Sequence, residues 1–155
     1  MAYVKEHDFE DGCFLCRDLA DGSQDTENYV LIRSALAFVI MNVFPYSNGH
    51  LMVSPRRHTG DFTGLTEAES AELTRLTQQC IRVLDETLKP HGYNVGLNLG
   101  EAAGAGVADH LHIHVVPRWA NDTNFMPVLA DVKLIPEHLT DTYRVLRESF
   151  ERAGE

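Results

Sequence analysis

Residues 110–116 read His-Leu-His-Ile-His-Val-Val, and this alternation constrains the fold more than any other stretch of the chain. In a β-strand successive side chains point to opposite faces. His110, His112 and His114 therefore share one surface, while Leu111, Ile113 and Val115 face a core. Three imidazoles in strict register argue against a surface strand that is rich in histidine by chance. At ~3.3 Å per residue His110 and His114 stand roughly 13 Å apart. Bonds of ~2.1 Å from all three rings to one metal ion would require them to lean from opposite ends. The spacing instead points to a division of labour, with some histidines acting on a substrate and another serving a metal or a structural hydrogen bond.

Same-face neighbours about 7 Å apart can bracket one tetrahedral group such as a phosphate. The middle residue, His112, is then the natural nucleophile, because a hydrogen bond from its other ring nitrogen would fix the reactive tautomer. A covalent phosphohistidine splits one hard displacement into two easier ones. His114, or His50 if the sheet brings it near, is placed to donate to a phosphoryl oxygen or assist a leaving group. The loop over 100–109 is rich in Gly and Ala and could aim backbone N–H groups at the same anion, although it lacks a Gly-x-Gly-x-x-Gly pattern.

The remaining patterns supply a sheet and its helices. Residues 28–33 and 36–43 read as strands, the second apolar enough to be buried on both faces. Pro45-Tyr46-Ser47-Asn48-Gly49 marks a turn into a returning strand over 50–54. Thr66 with Glu69 forms a capping-box signature, and Leu73, Leu76, Cys80, Val83, Leu84 and Leu88 continue at helical spacing to Pro90-His91-Gly92. A helix of roughly 22 to 24 residues is predicted there. Cys80 lies in its apolar stripe and reads as core. Residues 93–99 alternate as a strand whose Asn94, Gly96 and Asn98 share a face with room for a ligand. Residues 118–136 read as irregular, and 140–153 as a terminal helix with Tyr143, Leu146 and Phe150 on one side. Antiparallel strands in adjacent pairs with two or three helices make an α+β fold.

The 155 residues suit a single domain, with its core over about 13–119 and a C-terminal extension and helix over 120–155. A net charge of −10 disfavours nonspecific binding to nucleic acid or to an anionic membrane. Residues 1–11 are polar and acidic, without an apolar signal core, and no run approaches the ~20 apolar residues of a membrane span. A cytoplasmic protein is expected. Three cysteines are too few for a disulfide framework.

Cys13-Phe14-Leu15-Cys16 is a second candidate site. Cys-x-x-Cys serves as a redox pair, as half of a zinc site, or as two buried thiols in a helical turn. No βαβ pattern surrounds it, which weighs against a thioredoxin-like role. Zinc would need two more ligands, and spacing alone does not choose among eight histidines. His7, His91 and His138 stand in no motif and read as surface residues.

Residues 110–116 match the His-φ-His-φ-His-φ-φ signature of the histidine triad (HIT) family of nucleotide hydrolases and transferases. Residues 38–58, from Phe38 through Asn42, Pro45, Gly49 and His50 to His58, resemble that family's first block, so that the resemblance spans about Cys13 to Trp119. It implies a HIT-like fold: a five-stranded antiparallel sheet with flanking helices, usually in a homodimer, with a nucleotide held by its α-phosphate beside the triad. By position, His112 resembles the nucleophile, His114 and His50 the phosphate-contacting histidines, and Asn98 a phosphate-side amide. Asn42 matches the ribose-binding residue, with Phe38 and Phe44 near the base. In zinc-bearing members and related uridylyltransferases, the positions matching Cys13, Cys16, His58 and His110 hold a structural metal, with no open coordination position for water.

One departure is clear. Many members place Gly-Gln-Ser or Gly-Gln-Thr before the first triad histidine, whereas this chain has Gly104-Ala105-Gly106-Val107-Ala108-Asp109, one residue longer. Backbone N–H groups around Ala105 and Gly106 would replace those side chains at the phosphate. Together with Val116-Pro117-Arg118-Trp119 and Asp122-Thr123-Asn124-Phe125-Met126-Pro127, this loop resembles the bacterial branch related to diadenosine tetraphosphate phosphorylases. The expected activity is attack by His112 on the α-phosphorus of a dinucleoside polyphosphate, followed by transfer to inorganic phosphate. Transfer to water, with dinucleoside polyphosphates or nucleoside phosphoramidates as substrates, is the alternative. The rivals from other classes are a nucleotide- or partner-binding protein with negligible turnover and a zinc-water hydrolase.

Overall fold

A computed structural model describes residues 12–122 and 137–154. Three expectations lie outside them: the polar leader over 1–11 with His7, most of the irregular 118–136 segment, and the motif residues Thr123 to Pro127.

The sheet has five antiparallel strands in the order β1-β2-β3-β5-β4. They are β1 (Val30–Arg33), β2 (Ala37–Met41), β3 (Leu51–Pro55), β4 (Gly92–Gly96) and β5 (Ile113–Arg118). Three α-helices accompany them among the described residues: α1 (Phe14–Ala20), α2 (Glu67–Thr87) and α3 (Leu139–Ala153). No described helix is long and apolar enough to cross a membrane.

Alternation sorts each strand's side chains between two faces. Ala37, Val39 and Met41 of β2, Leu51 and Val53 of β3 and Val115 of β5 join Leu73, Leu76, Cys80, Val83 and Leu84 of α2 in one core. Tyr143, Leu146 and Phe150 of α3 complete it. On the other face Phe38, Ile40 and Met52 meet Val30 and Leu15 of α1 in a smaller cluster. A register shift between Val30 and Ile32 moves Leu31 into the first core while Val30 stays in the second.

The predicted capping box is present. Thr66 Oγ1 accepts from the Glu69 N–H at 3.2 Å, and Glu69 Oε2 accepts from the Thr66 N–H at 2.8 Å. Arg57 also grips this carboxylate and, with the Thr66 bonds, holds it down to about 2. The helix runs 21 residues, just under the expected length. Cys80 is core, as expected, its thiol pushed up strongly by burial. Gly49, at φ +72, closes the turn before β3; a Cβ there would lie 2.5 Å from Leu88 Cδ1.

Two strands differ from expectation. Regular pairing of the histidine segment begins only at Ile113 and runs on to Arg118, so His110, Leu111 and His112 precede the strand. Pro117 is tolerated because β3 pairs only as far as Val115, and a proline lacks the N–H that a longer ladder would need. The strand expected over 93–99 occupies 92–96, because its partner supplies ladder residues only to His114.

Candidate functional site

The end of β3 fixes the stretch that leads into the histidine strand. Ser54 Oγ donates to the Leu111 carbonyl at 2.7 Å, the Leu111 N–H donates to Thr59 O at 2.8 Å, and His110 Nε2–H donates to Pro55 O at 2.8 Å. Gly60 lies so close to this stretch that a Cβ would stand 2.5 Å from the Ala108 carbonyl oxygen. With Nε2 engaged, His110 turns Nδ1 toward α1, 3.2 Å from Cys13 Sγ and 3.4 Å from Cys16 Sγ. His58 Nδ1 lies 3.3 Å from Cys16 Sγ. The four donor atoms of Cys13, Cys16, His58 and His110 lie within 4.8 Å of one another. Tetrahedral coordination with ~2.3 Å bonds to sulfur and ~2.0 Å to nitrogen places ligands about 3.3–3.8 Å apart. Donor chemistry and spacing therefore fit zinc, and the Pro55 carbonyl is the outer partner that orients a ligating imidazole. Burial keeps His110 neutral by lowering its pKa, and burial with the neighbouring Cys13 raises that of Cys16.

Hydrogen bonds fix the other histidines by tautomer. The Tyr46 N–H donates to His50 Nδ1 at 3.1 Å, so a neutral His50 carries its proton on Nε2. That nitrogen lies 2.9 Å from His114 Nδ1, which must accept, leaving His114 Nε2–H as the donor. Burial, with His112 adding to it, pushes His114 down to about 4 and keeps it neutral. His112 is set the opposite way: its Nδ1–H donates to the His110 carbonyl at 2.9 Å, and Nε2 keeps its lone pair. The His112 and His114 rings stand 4.8 Å apart between centroids and nearly perpendicular. A nucleophilic nitrogen and a hydrogen-bond donor thus sit side by side.

Both rings line a cavity of about 440 Å³, a size that suits a small ligand. Ile40 and Met52 contribute from the sheet, Asn42, Phe44 and Tyr46 from the β2–β3 connection, and Gly104, Gly106 and Val107 from the loop before His110. Phe14, Arg17 and Asp18 add a wall from α1. Asn42 is locked in place: Oδ1 accepts from the Phe44 N–H at 2.9 Å, and Nδ2 lies 3.4 Å from His50 Nδ1. Such an arrangement can hold a phosphoryl group between His112 and His114, with an organic substituent extending along the sheet.

A family model described as the HIT domain matches residues 23–121. The chain belongs to the HIT family. It is 48% identical over 128 residues to the AP-4-A phosphorylase of Mycobacterium tuberculosis, an alignment covering 83% of this chain. The chain spans 66% of that protein's length. A Zn-bound histidine triad family protein from Mycobacterium smegmatis superimposes with a TM-score of 0.72, at 25% identity over 92% of this chain and 96% of that one. A histidine triad nucleotide-binding protein from Sulfolobus tokodaii gives 0.70, at 26% identity over 90% and 93%.

The HIT site gathers most residues anticipated from the sequence. His112, His114, Asn42, Phe44 and Gly106 line the cavity, and Cys13, Cys16, His58 and His110 form the separate tetrad. Four of the anticipated residues stand off the cavity wall. Phe38 is fully buried in the small core, edge-on to the His110 ring. His50 is also fully buried, with Nδ1 accepting from the Tyr46 N–H and Nε2 at 2.9 Å from His114 Nδ1. Asn98 and Ala105 are not on the cavity wall, and Asn98 Nδ2 lies 3.4 Å from the Gly104 carbonyl. His91 is exposed as expected, though its Nδ1 accepts from the Ala120 N–H. Ile40 and Met52 also line the cavity, and the sequence signal for them is the strand parity they share with Phe38 and His50. For Phe14, Arg17 and Asp18 no comparable signal existed, because nothing local says where a short helix packs.

Proposed function

We propose that this HIT domain cleaves dinucleoside polyphosphates, such as diadenosine tetraphosphate, through a nucleotidyl-histidine on His112, with inorganic phosphate as the acceptor. The observation that carries the reading is the opposed tautomers of His112 and His114 on one cavity wall. His112 Nε2 attacks the α-phosphorus, the new N–P bond forms, and the bond to the polyphosphate oxygen breaks. The His110 carbonyl holds Nδ1–H and stabilises the positive charge that develops on the ring. His114 Nε2–H donates to a phosphoryl oxygen, and the loop of Gly104, Gly106 and Val107 on the cavity wall is the source of backbone N–H groups for the same charge. Phosphate oxygen then attacks the nucleotidyl group and restores His112. The mycobacterial phosphorylase supports phosphate as acceptor by likeness.

Zinc at Cys13, Cys16, His58 and His110 completes the proposal, the fit of the donor set and the Zn-bound neighbour supporting it. Bound there with four protein ligands, zinc supplies cross-linking and no reactive water. Two further parts of the reading are a homodimer, supported by the open β4 edge where Val95 is exposed, and a reducing cytoplasm that suits free thiols.

The test is chromatography of the products from diadenosine tetraphosphate with and without inorganic phosphate. ADP plus ATP formed only with phosphate is the expected result. AMP plus ATP regardless of phosphate would make the enzyme a hydrolase, and no cleavage would reject this substrate.

A further inference from the structure

We propose that Asp18 reads the base: its open carboxylate oxygen accepts a hydrogen bond from the exocyclic amine of an adenine or cytosine nucleotide whose phosphate lies at His112. This assignment rests on the functional reading above and extends it to base recognition. It concerns a helix that precedes residues 23–121, the span matched by the HIT model.

Asp18 lies on the cavity wall at 9% exposure, a low value for a carboxylate. Oδ1 accepts from Arg17 Nε at 2.9 Å, which fixes the plane of the group. Nothing among the described residues bonds Oδ2. Nor is that atom sealed, since Ser149 Oγ is the only enclosed side-chain oxygen or nitrogen without a partner among the described residues. Oδ2 therefore keeps accessible surface, and Asp18 borders the cavity. The backbone beneath is pinned, because the Asp18 carbonyl accepts from Arg33 Nη2 at 3.3 Å and from Asn28 Nδ2 at 3.4 Å.

Position in the sheet brings this oxygen to the right distance. His112 and His114 enter from β5, whereas α1 packs with Leu15 against Val30 of β1 and Phe38 and Ile40 of β2. From β5 to β1 is three strand spacings, ~14 Å, comparable with an extended nucleoside monophosphate from phosphorus to the far edge of its base. Between the two ends Ile40 and Met52 line the cavity from the sheet with Phe14 and Phe44, while Arg17, Glu27 and Asn28 also border it. A flat base suits that slot, and its outer edge then meets Asp18. A carboxylate oxygen accepts and does not donate, so an amine there is bound, while a carbonyl oxygen in the same place is repelled. Adenine and hypoxanthine nucleotides differ at this position and at the adjoining ring nitrogen, which accepts in adenine and carries a proton in hypoxanthine, and cytosine and uracil nucleotides differ in the same two places.

Calorimetric titration of the purified protein with AMP, IMP, CMP and UMP tests the assignment. AMP is expected to bind ~10–100-fold more tightly than IMP, as in sites built around a specific hydrogen bond. In Asp18→Asn, whose amide can donate to a carbonyl, the ratio should fall below ~3-fold or reverse. The CMP to UMP ratio tells whether the amine read is that of a purine, a pyrimidine or both. Equal binding of AMP and IMP to the native protein, or an unchanged ratio in Asp18→Asn, overturns the assignment and leaves the catalytic reading standing. Absence of any nucleotide binding overturns both. Should Asp18→Asn fail to fold, NMR of AMP labelled with ¹⁵N at its amine decides in the native complex. A protected, downfield amine proton supports the bond, and a freely exchanging one overturns it.

Discussion

The two faces of the sheet are built from the same strands by the same alternation, yet they do different work. Toward α2 and α3, residues 39, 41, 51, 53 and 115 make a continuous apolar core. Toward α1, residues 38, 40 and 52 make a small apolar cluster, and the adjoining positions go to His50, Ser54, His112 and His114. The first face fills its volume with carbon, and the second spends much of its own on groups that need partners. Stability and chemistry are thereby separated by one residue of strand register, and substitutions on the two faces should fail in different ways.

His112→Ala should give the largest effect, a loss of at least ~10³-fold in turnover with little change in the urea midpoint. Single-turnover assays beside chemical denaturation check both halves, and a comparable loss of stability would break the separation. Leu76→Ala on the opposite face should cost about 2–5 kcal/mol of stability while the folded fraction keeps its kcat. His50→Phe fills the same buried volume without a donor for His114. Its kcat should fall by ~10²-fold with a much smaller change in KM. Thr66→Ala removes the cap of α2 and should lower stability by ~1 kcal/mol with activity intact.

The smallest effect is one of pH. His114 sits at about 4 when folded and near the ordinary histidine value of ~6.5 when unfolded. Between those values the unfolded chain binds the extra proton, so stability from this group is full above ~6.5 and is lost as pH falls toward 4. Replacing His114 with Gln should flatten the fall in urea stability between pH 7 and pH 5 by ~0.5–1 kcal/mol. An unchanged slope would mean that another group titrates there.

Local signals were the legible part of this chain. The capping box at Thr66 and Glu69 and the turn at Gly49 each act within a few residues and appear in the structure, whereas the alternation read over 110–116 becomes paired strand only from Ile113. Recognition of the HIT pattern brought His112, His114, Asn42 and the tetrad together from distant stretches, which periodicity could not have done. Burial depth was not legible: Phe38 and His50 lie behind the residues that touch the cavity, and only packing decides that order. The placement of α1 was equally hidden, because seven residues carry no sign of the partner they choose.

That helix leaves a thermodynamic mark on the whole molecule. Cys13, its N-cap, and Cys16 belong to the tetrad, while Phe14, Arg17 and Asp18 border the cavity, so the two sites share one rigid body of two turns. Linkage is reciprocal. Whatever factor an occupied tetrad adds to nucleotide affinity, a bound nucleotide must return to the affinity of the tetrad for its ion. If the tetrad holds the proposed zinc and the cavity the proposed nucleotide, oxidising these thiols or withholding metal would change the concentration at which nucleotide binds, without touching His112 or His114.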